Sequence, residues 1–87
     1  MQGGLVFDAY LIRRKNDRVP GQAIWILQAT QIYAGKSIAS RDKRFEVVSP
    51  GMQAGGVVFL RDRRYRVFAV ELHGRLYIWD ATVVQLN

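Results

Sequence analysis

Residues 57–79 read VVFLRDRRYRVFAVELHGRLYIW, and this stretch decides the fold class. From Tyr65 to Leu72, Tyr65, Val67 and Ala69 alternate with Phe68, Val70 and Leu72. From Arg75 to Trp79, Leu76 and Ile78 alternate with Tyr77 and Trp79. That two-residue period is the pattern of strands, rich in the β-branched and aromatic residues that pleated surfaces favour. Between the two runs stands His73-Gly74. Histidine tolerates the left-handed backbone region better than most residues and glycine enters it freely, so the dipeptide suits a two-residue hairpin turn. With Val57 to Leu60 before it and the turn Arg61-Asp62-Arg63-Arg64 between, the stretch predicts a three-stranded meander.

Working outward, Leu5 to Arg13 (LVFDAYLIR) alternates Leu5, Phe7, Ala9 and Leu11 against Val6, Asp8, Tyr10 and Ile12, which predicts a first strand ending in a polar turn at Arg14 to Asp17. After Val19-Pro20-Gly21, Ala23 to Ala29 (AIWILQA) reads as a second strand. A helix is its rival, because Ala23, Leu27, Thr30 and Ala34 would share one helical face. Thr30 to Arg44 reads as one long loop with room for a short helix, and a loop of that length in a compact domain is a candidate contact element. Phe45 to Ser49 is a short strand stopped by Pro50-Gly51, Gly55-Gly56 closes the next turn, and Val83 to Leu86 adds a last edge strand. Six to seven short strands with turn signals between them predict an all-β chain: a small antiparallel barrel or sandwich.

The chain has 87 residues, 49% of them hydrophobic, and no cysteine. A chain of this size buries roughly 60–65% of its unfolded surface, enough for one modest core and a single domain at residues 1–87. Without thiols there is neither a disulfide framework nor a thiolate metal site. The first residues, MQGGLVFDAYL, lack a basic region and the longest apolar runs are four or five residues, so neither a signal peptide nor a membrane span is expected. Apolar residues on both faces of several strands predict that the second face is covered, by further copies of the chain or by a protein partner.

Little in the sequence points to catalysis. Gly35-Lys36-Ser37 followed by an apolar strand and Asp80 imitates a phosphate-binding loop, but Thr30 stands where that loop needs glycine. The only histidine, His73, lies in the hairpin turn with no second histidine or cysteine to share a metal. The seven carboxylates, Asp8, Asp17, Asp42, Glu46, Asp62, Glu71 and Asp80, mostly lie within three residues of a base, which reads as charge compensation. The chain is expected to be no enzyme and to use no cofactor or metal.

The charge is more telling. Net charge is +6, and ten of the thirteen basic residues are arginine, the side chain suited to phosphates and interface carboxylates. The bases fall in three groups: Arg13, Arg14, Lys15 and Arg18; Lys36, Arg41, Lys43 and Arg44; Arg61, Arg63, Arg64 and Arg66. If the groups converge they form a phosphate-attracting or partner-binding surface, with Tyr33, Phe45 or Tyr65 beside it to stack on bases. Otherwise they are solvated turns that keep an apolar chain in solution.

The order of these features resembles the head–tail attachment or head-completion proteins of tailed phages. The likeness runs from about Asp8 to Asp80: a strand ending in a polar turn (AYLIRRKNDRVPG), a second strand (AIWILQA), a long segment from Ile32-Tyr33-Ala34-Gly35, then Phe45 to Ser49. It is closest at Gly56-Val57-Val58-Phe59, Tyr65-Arg66-Val67 and Leu76-Tyr77-Ile78-Trp79. The resemblance implies a non-enzymatic subunit, in the virion or the host cytoplasm, that forms a homo-oligomeric ring of about six or twelve copies between head and tail. It further implies neighbouring connector or tail proteins as partners, docking through residues 30–44, and DNA near the basic turns. The reading of a different class is a small basic nucleic-acid-binding barrel acting in regulation or DNA processing.

Overall fold

A computed structural model describes residues 4–35, 41–49 and 58–86. It contains six strands: β1 (Gly4–Asn16), β2 (Ala23–Ala34), β3 (Arg44–Ser49), β4 (Tyr65–Leu72), β5 (Arg75–Tyr77) and β6 (Val83–Gln85), with one 3-10 turn at Asp80–Thr82. The order β1-β2-β3-β5-β4 is closed by pairing of β4 back onto β1, giving a five-stranded barrel; β6 adds to β4. All these ladders are antiparallel except β3–β5, where Val47 pairs with Leu76 and Val48 with Tyr77 in parallel. This is the connectivity of an OB-type Greek-key barrel, an architecture that does not by itself specify a ligand.

The all-β reading holds, and four details are corrected. One ladder is parallel, because β5 returns beside β3 to close the barrel. β1 continues through Arg14 to Asn16, so the polar turn starts at Asp17. Thr30 to Ala34 are not loop but the second half of β2, held by β1 through Asp8↔Gln31, Phe7↔Ile32 and Val6↔Ala34. The connection to β3 is correspondingly shorter. Lastly, residues 58–60 carry no strand ladder, so the expected meander is a β4–β5 hairpin. Val57, Pro50-Gly51 and Gly55-Gly56 lie outside the described residues.

The core follows from the alternation. Leu5, Phe7 and Ala9 of β1, Trp25, Leu27 and Ala29 of β2, Phe45 and Val47 of β3, Val67 and Ala69 of β4, and Leu76 and Ile78 all point into one buried cluster. Small residues interleaved with aromatics fit the narrow interior of a five-stranded barrel. Phe7 and Phe45 meet at 4.8 Å, and Phe59 packs edge-on between Trp25 (5.2 Å) and Tyr65 (4.9 Å). The polar tips of these aromatics are satisfied: Trp25 donates Nε1–H to Ser49 Oγ at 2.9 Å, and Tyr65 Oη accepts the Leu60 N–H at 2.8 Å. β1 must serve both β2 and β4, and its ladder with β2 is interrupted by three extra residues, Tyr33 and Thr30 on β2 and Ile12 on β1, which bend the paired strands.

His73 and Gly74 have φ of 53° and 80°, the two left-handed positions of the hairpin turn. Gly35 is required for two reasons. Its φ is 83°, and a Cβ there would lie 2.2 Å from the carbonyl oxygen of Gly4. The glycine thus belongs to the end of β2 rather than to a phosphate-binding loop.

Candidate functional site

The outer face of the barrel carries two distinct surfaces. The first is apolar. Ile24, Val48, Tyr77 and Val70 pair successively across β2, β3, β5 and β4 and face away from the core. At the β2–β3 end the chain covers this row itself. Lys15 of β1, beside Ile24, reaches over β2 to Glu46 of β3, beside Ile26, with Nζ 3.5 Å from Oε1. The stems of this pair shield the two isoleucines, which are buried. At the β4–β5 end the row opens. Phe68 and Trp79, two residues beyond Val70 and Tyr77, remain 45% and 42% exposed, and Phe68 stands directly opposite Val6 of β1. Thr82 fixes the Trp79 backbone, its Oγ1 accepting the Trp79 N–H at 3.0 Å and donating to the Trp79 carbonyl at 2.9 Å.

The second surface is basic. Its centre is the stretch Tyr10 to Arg13 of β1. On one side, Tyr10, Gln28 and Arg44 form a row across β1, β2 and β3. The turn carrying Arg41 and Lys43 is pinned there, because Ala29 N–H donates to the Lys43 carbonyl at 2.8 Å and Gln28 Nε2 donates to the Asp42 carbonyl at 3.0 Å. On the other side, the Arg61–Arg64 turn abuts β1, with Arg61 Nη1 donating to the Ile12 carbonyl at 3.3 Å. Each side has a cleft. One of about 440 Å³ lies between Tyr10 and Leu11 and the Arg61–Arg64 turn. The other, of about 360 Å³, is bounded by Ile12, Arg13, Ile26, Asp42, Arg44 and Glu46. Lys43 and Asp62 both have left-handed backbone (φ 57° and 65°), which tightens the two basic turns.

The three sequence groups therefore fare differently. Arg13 joins the second and third groups on this surface. Arg14 stacks over Trp25, 5.6 Å from the ring centroid, and donates to Asn16 Oδ1. Lys15 is held by Glu46. Arg18 lies at the far end of the β1–β2 hairpin, its N–H donating to Asp17 Oδ1 at 2.8 Å. Lys36 lies outside the described residues. Arg63 and Arg64 line the larger cleft, and the Arg64 carbonyl accepts the Leu86 N–H at 2.8 Å.

Arg66 is a structural cation instead. It forks onto Asp8 through Nε–Oδ1 (2.8 Å) and Nη2–Oδ2 (3.1 Å), with Tyr33 donating its hydroxyl to Asp8 Oδ2 at 2.6 Å. The Arg66 hydrogen bonds hold the Asp8 carboxyl below its ordinary range against the opposing effect of burial, aided by Tyr33. Hydrogen bonding to Asp8 raises the Tyr33 hydroxyl. Arg75, which the sequence did not single out, plays the matching part at the other end, donating to Asp17 Oδ1 at 3.0 Å and lowering that carboxyl.

Two of the three aromatics expected to stack on bases are misplaced: Phe45 and Tyr65 are buried in the core, because both fall on inward positions of their strands. Tyr33 is half-exposed but lies under the Arg66 guanidinium, 4.8 Å from its ring. The aromatic beside the basic clefts is Tyr10, 44% exposed. Its signal in the sequence was its place among the outward residues of β1, between Asp8 and Ile12.

Among the described residues, no group of three or more His, Cys, Asp and Glu side chains is placed to hold a metal, and no helix is long and apolar enough to cross a membrane. Scans of family models, curated proteins and solved structures yield no match to this chain.

Proposed function

We propose that the chain is a non-enzymatic structural subunit of a phage head–tail connector, assembling into a ring and joining neighbouring connector or tail proteins. The observation that carries the reading is large apolar side chains left in water on a barrel whose interior is already filled: Phe68 of β4, opposite Val6 of β1, and Trp79, two residues past the end of β5. Exposed aromatics suit a protein contact, because aromatic residues dominate the buried centres of such contacts. The sequence resemblance from about Asp8 to Asp80 supplies the kind of assembly.

The test is the mass of the purified protein by light scattering over a range of concentrations, alone and with isolated portal complexes. Ring-sized particles, or uptake onto the portal, are expected, and Phe68→Asp with Trp79→Asp abolishes both while leaving the monomer's circular dichroism unchanged. A protein that stays monomeric and ignores the portal overturns the proposal.

A further inference from the structure

We infer that the surface centred on Tyr10 binds single-stranded nucleic acid, the Tyr10 ring stacking on a base while the cations on either side hold the backbone. Three observations converge on it. First, the tertiary structure concentrates charge: Arg13 and Arg44 line one cleft with Asp42 and Glu46, Arg61, Arg63 and Arg64 line the other with Asp62, and Arg41 and Lys43 flank Asp42 in the pinned turn. Glu46 is moreover engaged by Lys15. Second, this charge is held on backbone that is anchored to the barrel, by the Ala29–Lys43 hydrogen bond on one side and the Arg61–Ile12 contact on the other. The cations are thus presented at set positions, which lowers the ordering cost of binding.

Third, the exposed tyrosine lines one cleft and shares a cross-strand row with Arg44 of the other. Arg44 is two strands from Tyr10, about 10 Å at the usual strand spacing, and the Arg61–Arg64 turn faces Tyr10 from the opposite side. A backbone crossing β1 from one cleft to the other runs over the stretch Tyr10 to Arg13, beside the ring. Duplex bases are stacked on each other and have no free face to offer it, so a base must be unpaired to use Tyr10. Basic groove plus aromatic platform is the combination that single strands recognise without sequence preference. This site is separate from Phe68 and Trp79, and the inference does not depend on ring formation.

The experiment is fluorescence anisotropy with labelled oligo-dT and oligo-U of about 20 nucleotides and with a duplex of equal length, titrated from about 50 mM salt upward. Both single strands are expected to bind more tightly than the duplex, with a log–log salt slope near −0.7 for each phosphate contacted. Tyr10→Ala lowers single-strand affinity about tenfold and leaves the slope unchanged. Arg13→Ala with Arg63→Ala flattens the slope by about 1.4. Arg18→Ala, at the far end of the barrel, changes neither. Melting curves of each variant separate lost binding from lost folding. Absence of binding at the lowest salt overturns the inference, as does equal binding of duplex with indifference to Tyr10→Ala, or a loss with Arg18→Ala as large as that with Arg13→Ala and Arg63→Ala.

Discussion

Arg66 and Asp8 form a two-point ion pair that ties β4 to β1 across the closing ladder of the barrel, with Asp8 only 8% exposed and Tyr33 of β2 completing its hydrogen bonds. Because the Asp8 carboxyl is depressed in the folded state, its contribution is present above the ordinary aspartate pKa and lost as pH falls through the lower, folded value. Asp17 with Arg75 behaves in the same sense. Stability measured by urea unfolding is therefore flat near neutrality and declines below about pH 4. Asp8→Asn is less stable than the parent at pH 7, and the gap closes as the parent's Asp8 becomes protonated. A gap that persists unchanged to acid pH refutes the electrostatic origin of the effect.

Trp25 and Ser49 give a second prediction. Ser49→Ala leaves the buried indole N–H without its acceptor, at a cost of about 1–3 kcal/mol in the unfolding free energy read from urea titration. In a cycle with Trp25→Phe the two changes are non-additive, because either one removes the same hydrogen bond. Additive losses would show that the pair contributes only packing.

Glycines 35 and 21 separate two effects. Both have positive φ, but a Cβ at Gly21 meets nothing within 4 Å whereas one at Gly35 collides with the Gly4 carbonyl oxygen. Gly21→Ala is expected to cost about 1 kcal/mol, from backbone strain alone. Gly35→Ala costs well beyond that, since β1 and β2 must part where they pair. Thermal unfolding of the two variants side by side checks the ranking.

The β4–β5 turn is open to improvement. With both central residues at positive φ, His73→Asn converts it to the most favoured two-residue sequence and raises stability by about 0.5 kcal/mol. A loss instead would mean that His73 has a contact beyond the turn.

How much of this was legible follows from how local each feature is. The β4–β5 hairpin was readable because period-two alternation and a two-residue turn lie within a few residues of one another. The second half of β2 was not: Thr30, Gln31 and Tyr33 are polar or exposed, only Ile32 packs on the core, and Thr30 and Tyr33 are skipped in the ladder to β1, so the segment offers little apolar alternation. The two-sided apolar pattern was correct as a pattern. Its outcome divides, with Ile24, Ile26 and Val48 buried under the barrel's own side chains and Phe68 and Trp79 left exposed.

By itself the sequence determined which residues share a strand face, that the chain is all-β, and where the tight hairpin turns, because these depend on alternation and on backbone preferences of neighbouring residues; which face turns inward it left open. Only the tertiary structure decided which strands lie side by side. Closure through β1–β4 and the parallel β3–β5 ladder joins segments distant in the chain, and alternation marks a residue's face without naming its neighbour. The same closure brings Arg44 and the Arg61–Arg64 turn to opposite sides of Tyr10 and sends Arg18 to the far end. Charge in a sequence is a sum, and it becomes a surface only when the ladders set its positions.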